Sequence, residues 1–181
     1  MVWDRLFAEL RAMISEPTIS GSIEFKATGY KNMKNRDRLI DAICTVYDKA
    51  WIDDHPYKPQ DGVTYCNFAV QDVARIMGYK ELDHRLANEI IDFISASKDW
   101  SKIEMNGVQQ LANSGSLVIA GQYGDKHGHV AVVRPGLSKW STKWNCPVPS
   151  VMNIGKDCFI SKGVNWAFQD IPLFFVWKDS I

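Results

Sequence analysis

The sequence predicts an α+β protein, with N-terminal helices packed on a small antiparallel sheet. Three observations lead there. Apolar residues recur at helical spacing through the first two thirds of the chain. From Gly115 onward they gather into short runs bounded by glycine and proline. Helices come first and a run of strands follows, which separates this pattern from the alternating βαβ order of a parallel sheet. The 181 residues fit one domain, and 46% hydrophobic with 23% charged residues is ordinary for a globular chain.

Taken in order, residues 3–14 read as a helix from Trp3, Leu6, Phe7, Leu10 and Ile14, ended by Glu16-Pro17. Residues 18–35 are polar and read as a loop. A second helix over 36–51 turns Leu39, Ile40, Ile43, Tyr47, Ala50 and Trp51 to one side. Residues 53–63, with two prolines and a glycine, read as a connection. A third helix runs from Tyr65 to Met77, with Thr64 as N-cap and Gly78 as C-cap. Its apolar face is Cys66, Ala69, Val70, Val73, Ala74 and Met77. A fourth helix is predicted over 81–96, with Leu82, Leu86, Ile90, Phe93 and Ile94 inward, and a short fifth over 106–113. Strands follow at Leu117–Ala120, His129–Arg134, Val148–Ile154 and Leu173–Lys178, the first two joined by the seven-residue loop Gln122–Gly128 as a hairpin.

Composition narrows the partners. A formal net charge of zero offers no electrostatic case for nucleic acid or an anionic membrane. No apolar run approaches the roughly 18 residues of a membrane span. The start, Met1-Val2-Trp3-Asp4-Arg5-Leu6, lacks the features of a secretory signal, so synthesis in the cytoplasm is expected, with action in the periplasm or wall only after release or injection. Four cysteines (Cys44, Cys66, Cys146, Cys158) are too few for a disulfide scaffold, although one Cys146–Cys158 bridge is compatible with the sequence.

The chemistry concentrates in two segments. Cys66 stands in Thr64-Tyr65-Cys66-Asn67-Phe68, where a turn feeds a helix; His129 opens the strand Gly128-His129-Val130-Ala131-Val132-Val133, 63 residues later. A helix start lowers a thiol pKa and supplies N–H groups for an oxyanion, and an imidazole takes the thiol proton and returns it to a leaving amine. A third polar group orients such an imidazole. Asn153, in Ser150-Val151-Met152-Asn153-Ile154, is the first choice, with Asp125 and Asn165 behind it. Each residue also has a plain reading: Cys66 as a core cysteine, His129 as a satisfied strand histidine, Asn153 as a strand-end cap. The pairing of the two segments favours chemistry over any one of these.

Tyr65-Cys66-Asn67-Phe68-Ala69-Val70, then Gly128-His129-Val130-Ala131-Val132-Val133, then a polar residue on the following strand, resembles the NlpC-like and CHAP-type amidases of the papain-like superfamily, which are bacterial and phage cell-wall hydrolases. The resemblance covers about residues 60–178. It implies a papain-like core over 61–181 with a helical insertion at about 79–114, preceded by an N-terminal helical extension over 1–60. It implies Cys66 as nucleophile, His129 as base and Asn153 as orienting group, with Tyr65 shaping the oxyanion site. The implied reaction is bacteriolytic: cleavage of a peptidoglycan amide, as stem-peptide endopeptidase or N-acetylmuramoyl-L-alanine amidase, through a thiolate acyl-enzyme and without metal or organic cofactor. An inhibitor or immunity protein is an implied partner if the chain is a toxin. Trp140, Trp144 and Trp166 are candidates to line the groove. The chain departs from many members in reading Tyr-Cys-Asn where they read Asp-Cys-Ser.

Three rivals remain open at this level. His127 and His129 with Cys146 and Cys158 would make a zinc tetrahedron, although the cysteines lack a Cys-Xaa-Xaa-Cys spacing. A wall-binding or phage-particle module would keep the fold without activity. An acyltransferase would use the same thioester with another acceptor.

Overall fold

A computed structural model describes residues 23–52, 57 and 65–180, with side chains in the first helix from Lys34 onward. The helix predicted over 3–14, the Thr64 cap and all of the 53–63 connection except Tyr57 lie outside the described residues. The element order is α1 (Ile23–Lys49), α2 (Cys66–Met77), α3 (Ala87–Ala96), β1 (Trp100–Ile103), α4 (Met105–Asn113), β2 (Val118–Gln122), β3 (His129–Val133), β4 (Lys139–Ser141), β5 (Cys146–Val148), β6 (Ser150–Asn153), β7 (Phe159–Gly163) and β8 (Leu173–Trp177). The protein is α+β, as its sequence predicts.

Six strands form one sheet in the order β1-β8-β2-β3-β6-β7, every pair antiparallel, and β4-β5 form a separate two-stranded ribbon. The predicted Gln122–Gly128 hairpin is present, with Gln122 opposite His129 and Ile119 opposite Val132. Because side chains alternate along a strand, the sheet builds two cores. Ile119, Val130, Val132, Met152 and Phe175 pack under α1, α2 and α3, with Leu39, Ile43, Val70, Val73 and Ile90. Val118, Ala120, Ala131, Val133, Val151 and Phe174 pack on the opposite face with Val108 and Ala112 of α4, Phe159 and Phe168. Each fully buried aliphatic side chain contributes about 1.5–3 kcal/mol, so both faces are substantial.

α2 forms as the sequence dictates. Cys66, Ala69, Val70, Val73, Ala74 and Met77 are all buried. Gly78 closes the helix at φ 108°, and the following N–H of Tyr79 bonds Ala74 O at 2.8 Å.

Several expectations are corrected. Residues 23–35, read as loop, are helical and continue into α1; the stretch has no proline, and Gly29 alone does not break it. Trp51 lies past the end of α1 and is 64% exposed rather than inward. The fourth helix begins at Ala87, not 81: residues 81–84 turn, His84 takes φ 64°, and Glu89 accepts the backbone N–H of Leu86 at 2.7 Å, one half of a capping box. Leu86, expected inward, is therefore outside the helix and exposed. The Val148–Ile154 strand is divided by Pro149, which lacks the N–H a ladder needs; residues before it pair with β4 and residues after it join the main sheet. Strands β1, β4 and β7 carry too few apolar residues to be seen in the sequence.

Candidate functional site

Cys66 is the first residue of α2, and Tyr65 before it has φ −112° and ψ 43°, with no side-chain cap on the helix. The uncapped N–H groups of Cys66 and Asn67 turn to the sulfur, as does the N–H of Val130 in β3. Burial is the larger effect and pushes the thiol pKa up; the three N–H groups oppose it. Only 3% of Cys66 is exposed, yet it lines a hollow of about 300 Å³. Tyr65 with Asn67 and Phe68 of α2, Leu86 with Ala87, Asn88 and Glu89 of α3, and Lys126, His127 and Gly128 of the β2–β3 loop form its walls.

His129 opens β3, half-buried, with its ring 5.0 Å from that of Phe168. Its Nε2 lies 2.6 Å from Oδ1 of Asn153. Asn153 Nδ2 donates to Asp157 O at 2.6 Å, which fixes which end of the amide is which. A carbonyl oxygen only accepts, so Nε2 carries the proton and Nδ1 is left unprotonated. Gly155 lies against that free side: a Cβ there would stand 3.2 Å from Cε1 and 3.9 Å from Nδ1. Burial lowers the imidazole pKa below its ordinary 6.5, and the Asn153 bond acts the other way. Both shifts, the thiol upward and the imidazole downward, favour the uncharged form of each group.

Of the predicted residues, the structure joins His129 to Asn153 by a hydrogen bond. It brings Cys66 against the backbone of Val130, the residue next to His129. No hydrogen bond links the sulfur to the imidazole. Strand alternation gives the reason: Val130 packs on the α2 face, while His129 shares the other face with Ala131, Val133 and Phe168. The imidazole lines its own hollow of about 270 Å³ with Asn153, Lys156, Asp157, Trp166 and Ala167, and the two hollows share His127 and Gly128. Trp166, 67% exposed, stands in this second hollow, and Tyr65 in the first. Trp140 is exposed on β4 and lines neither. Asp125 and Asn165 make no hydrogen bond to the imidazole; Asn165 Oδ1 is buried without a partner.

Sequence reasoning missed Asn88. Its Nδ2 donates to Gly124 O at 2.8 Å and its Oδ1 accepts Gly124 N–H at 3.3 Å. It also explains Gly128, where a Cβ would come within 2.1 Å of Asn88 Oδ1. This one amide holds the segment between the two hollows in place. The signal available was Glu89, three residues after Leu86, which marks the helix start and so puts Asn88 at the mouth of the site.

The zinc alternative fails here: among the described residues no three His, Cys, Asp or Glu side chains converge, and Cys146 and Cys158 are separate free thiols. Among the same residues no helix is long and apolar enough to cross a membrane. Compared with known protein families and with characterised proteins, the chain matches none.

Proposed function

We propose that the chain is a cysteine hydrolase of the papain-like, NlpC/CHAP-type class that cleaves an amide of peptidoglycan. The observation that carries this reading is the oriented imidazole: Asn153, itself fixed by Asp157 O, holds the Nε2 proton and leaves Nδ1 free as a base. Three backbone N–H groups around the Cys66 sulfur add to it, because donors that face a thiolate also suit the oxyanion of an acyl intermediate. A cysteine-bearing helix packed on an antiparallel sheet, with histidine on one strand and asparagine on the next, is the arrangement the papain-like resemblance implies.

In this mechanism the neutral pair reacts by general-base catalysis. His129 Nδ1 takes the Cys66 proton as the sulfur attacks the carbonyl carbon. The N–H groups at the start of α2 receive the oxyanion. The imidazolium then protonates the leaving amine, and water, activated by the same nitrogen, releases the acid and frees the thiol. The sulfur and the ring lie in separate hollows, so the step requires the His129 ring to reach the sulfur past His127 and Gly128, which line both. Substrate reaches it in the wall after release or injection of the protein.

Digestion of purified sacculi by wild type and by Cys66→Ala, with mass spectrometry of the fragments, tests the proposal. Wild type releases new amine ends and the variant does not. Equal release by both would overturn it.

A further inference from the structure

The hollow around Cys66 has an unusual lining. Phe68 and Leu86 are large apolar side chains left 40% and 58% exposed, and both line it. The Tyr65 ring stacks on Phe68 at 5.3 Å and 4°, which holds the Phe68 ring in place. Three of the polar side chains in the walls are committed to the protein's own backbone, while Tyr65, Lys126 and His127 complete the lining. Asn88 bonds Gly124 at both ends of its amide, Glu89 accepts Leu86 N–H, and Asn67 Nδ2 donates to Arg85 O at 2.9 Å. The two charged residues of the lining, Glu89 and Lys126, are opposite in sign. Across His127 and Gly128, the His129 hollow instead presents Asn153, Lys156 and Asp157.

We infer that the Cys66 hollow is the acyl-side subsite and takes a short, uncharged, apolar acyl group between Phe68 and Leu86. This rests on the proposed cysteine chemistry. The imidazole must hand its proton to the leaving amine, so the leaving group lies in the hollow that holds His129. The acyl group stays with the sulfur. A volume of about 300 Å³ is at the small end of ligand sites, which limits the chain to a few carbons. In peptidoglycan such an acyl group is lactyl or alanyl, bearing a methyl, rather than a glutamyl group bearing a carboxylate.

Acylation by p-nitrophenyl esters tests this without a known substrate. The Cys66 sulfur attacks the ester carbon, the S–C bond forms, the C–O bond breaks, and p-nitrophenolate leaves with the electron pair; the thiol proton passes to His129. Rates of acetyl, butyryl and succinyl transfer to Cys66 are followed by intact mass and normalised to free cysteine. Each methylene in an apolar site is worth about 10–200-fold, so butyryl transfer should exceed acetyl and succinyl transfer by at least about tenfold. Leu86→Asn and Phe68→Ser, both at exposed positions, should bring the butyryl-to-acetyl ratio near one. Succinyl transfer as fast as butyryl, or a ratio unmoved by both variants, overturns the inference and leaves the nucleophile standing. Failure of every ester to acylate Cys66 overturns the cysteine chemistry itself.

Discussion

The two faces of the main sheet divide the candidate chemistry between them. On the helical face, Cys66 is set by packing: α2 buries Val70, Val73 and Ala74 against Val130 and Val132, and the sulfur goes where the helix start goes. On the opposite face, His129 is set by hydrogen bonds and one ring contact, through Asn153, Asp157 O and Phe168. A nucleophile needs a fixed position, and close packing supplies it. A base needs a defined tautomer, which only a directional bond supplies. The two hollows share His127 and Gly128, and Asn88 pins the loop that carries them.

The largest effects should come from breaking either side outright. Cys66→Ala should lower amide hydrolysis by more than about 10³-fold, and His129→Ala by about 10²–10⁴-fold, each read as amine ends released per minute. If His129→Ala keeps wild-type rates, the base lies elsewhere and the division between faces has no catalytic meaning.

The shared segment comes next. Gly128→Ala drives a methyl into Asn88 Oδ1 and to 2.9 Å from Gln122 O, and overpacking of this kind costs about 1–3 kcal/mol. Thermal melting should fall accordingly. Adding Asn88→Gly removes the nearest clash and should recover part of the loss, whereas additive losses would place the strain elsewhere.

A pH profile separates hydrogen bonding from packing. Burial depresses the His129 pKa, so the imidazole stays a base below its ordinary 6.5, and the acid limb of kcat/KM should lie below that value. Asn153 raises the pKa, so Asn153→Ala should move the acid limb lower still, with a loss of rate from the unfixed tautomer. A limb that moves upward would reverse the assigned role. The smallest effect should be that of Trp166→Ala: the ring is 67% exposed, so melting should hold within about 0.5 kcal/mol while KM rises.

How much of this was legible in the sequence varies with how local the cause is. α2 and its Gly78 cap were readable because periodicity and a left-handed glycine act within one turn. The β2–β3 hairpin was readable from two apolar runs and one loop. β7 was not, because Phe159–Gly163 takes its place through pairing with β6 rather than through its own residues. Leu86 defies its pattern because its leucine continues an apolar spacing, while the backbone has already turned at His84. Asn153 is legible because a polar residue in an apolar strand needs a partner, and it has one.

By itself, then, the sequence determined the α+β class, the helix that begins at Cys66, the strand that begins at His129, and the polar residue that bonds it. Each follows from neighbours a few positions away. Only the tertiary structure decided that sulfur and imidazole stand on different sheet faces beside one shared segment, that Asn88 pins that segment, and that Leu86 lines the same hollow as Cys66. These depend on strand parity and on how α3 packs across the sheet, and both are fixed by contacts between residues far apart in the chain.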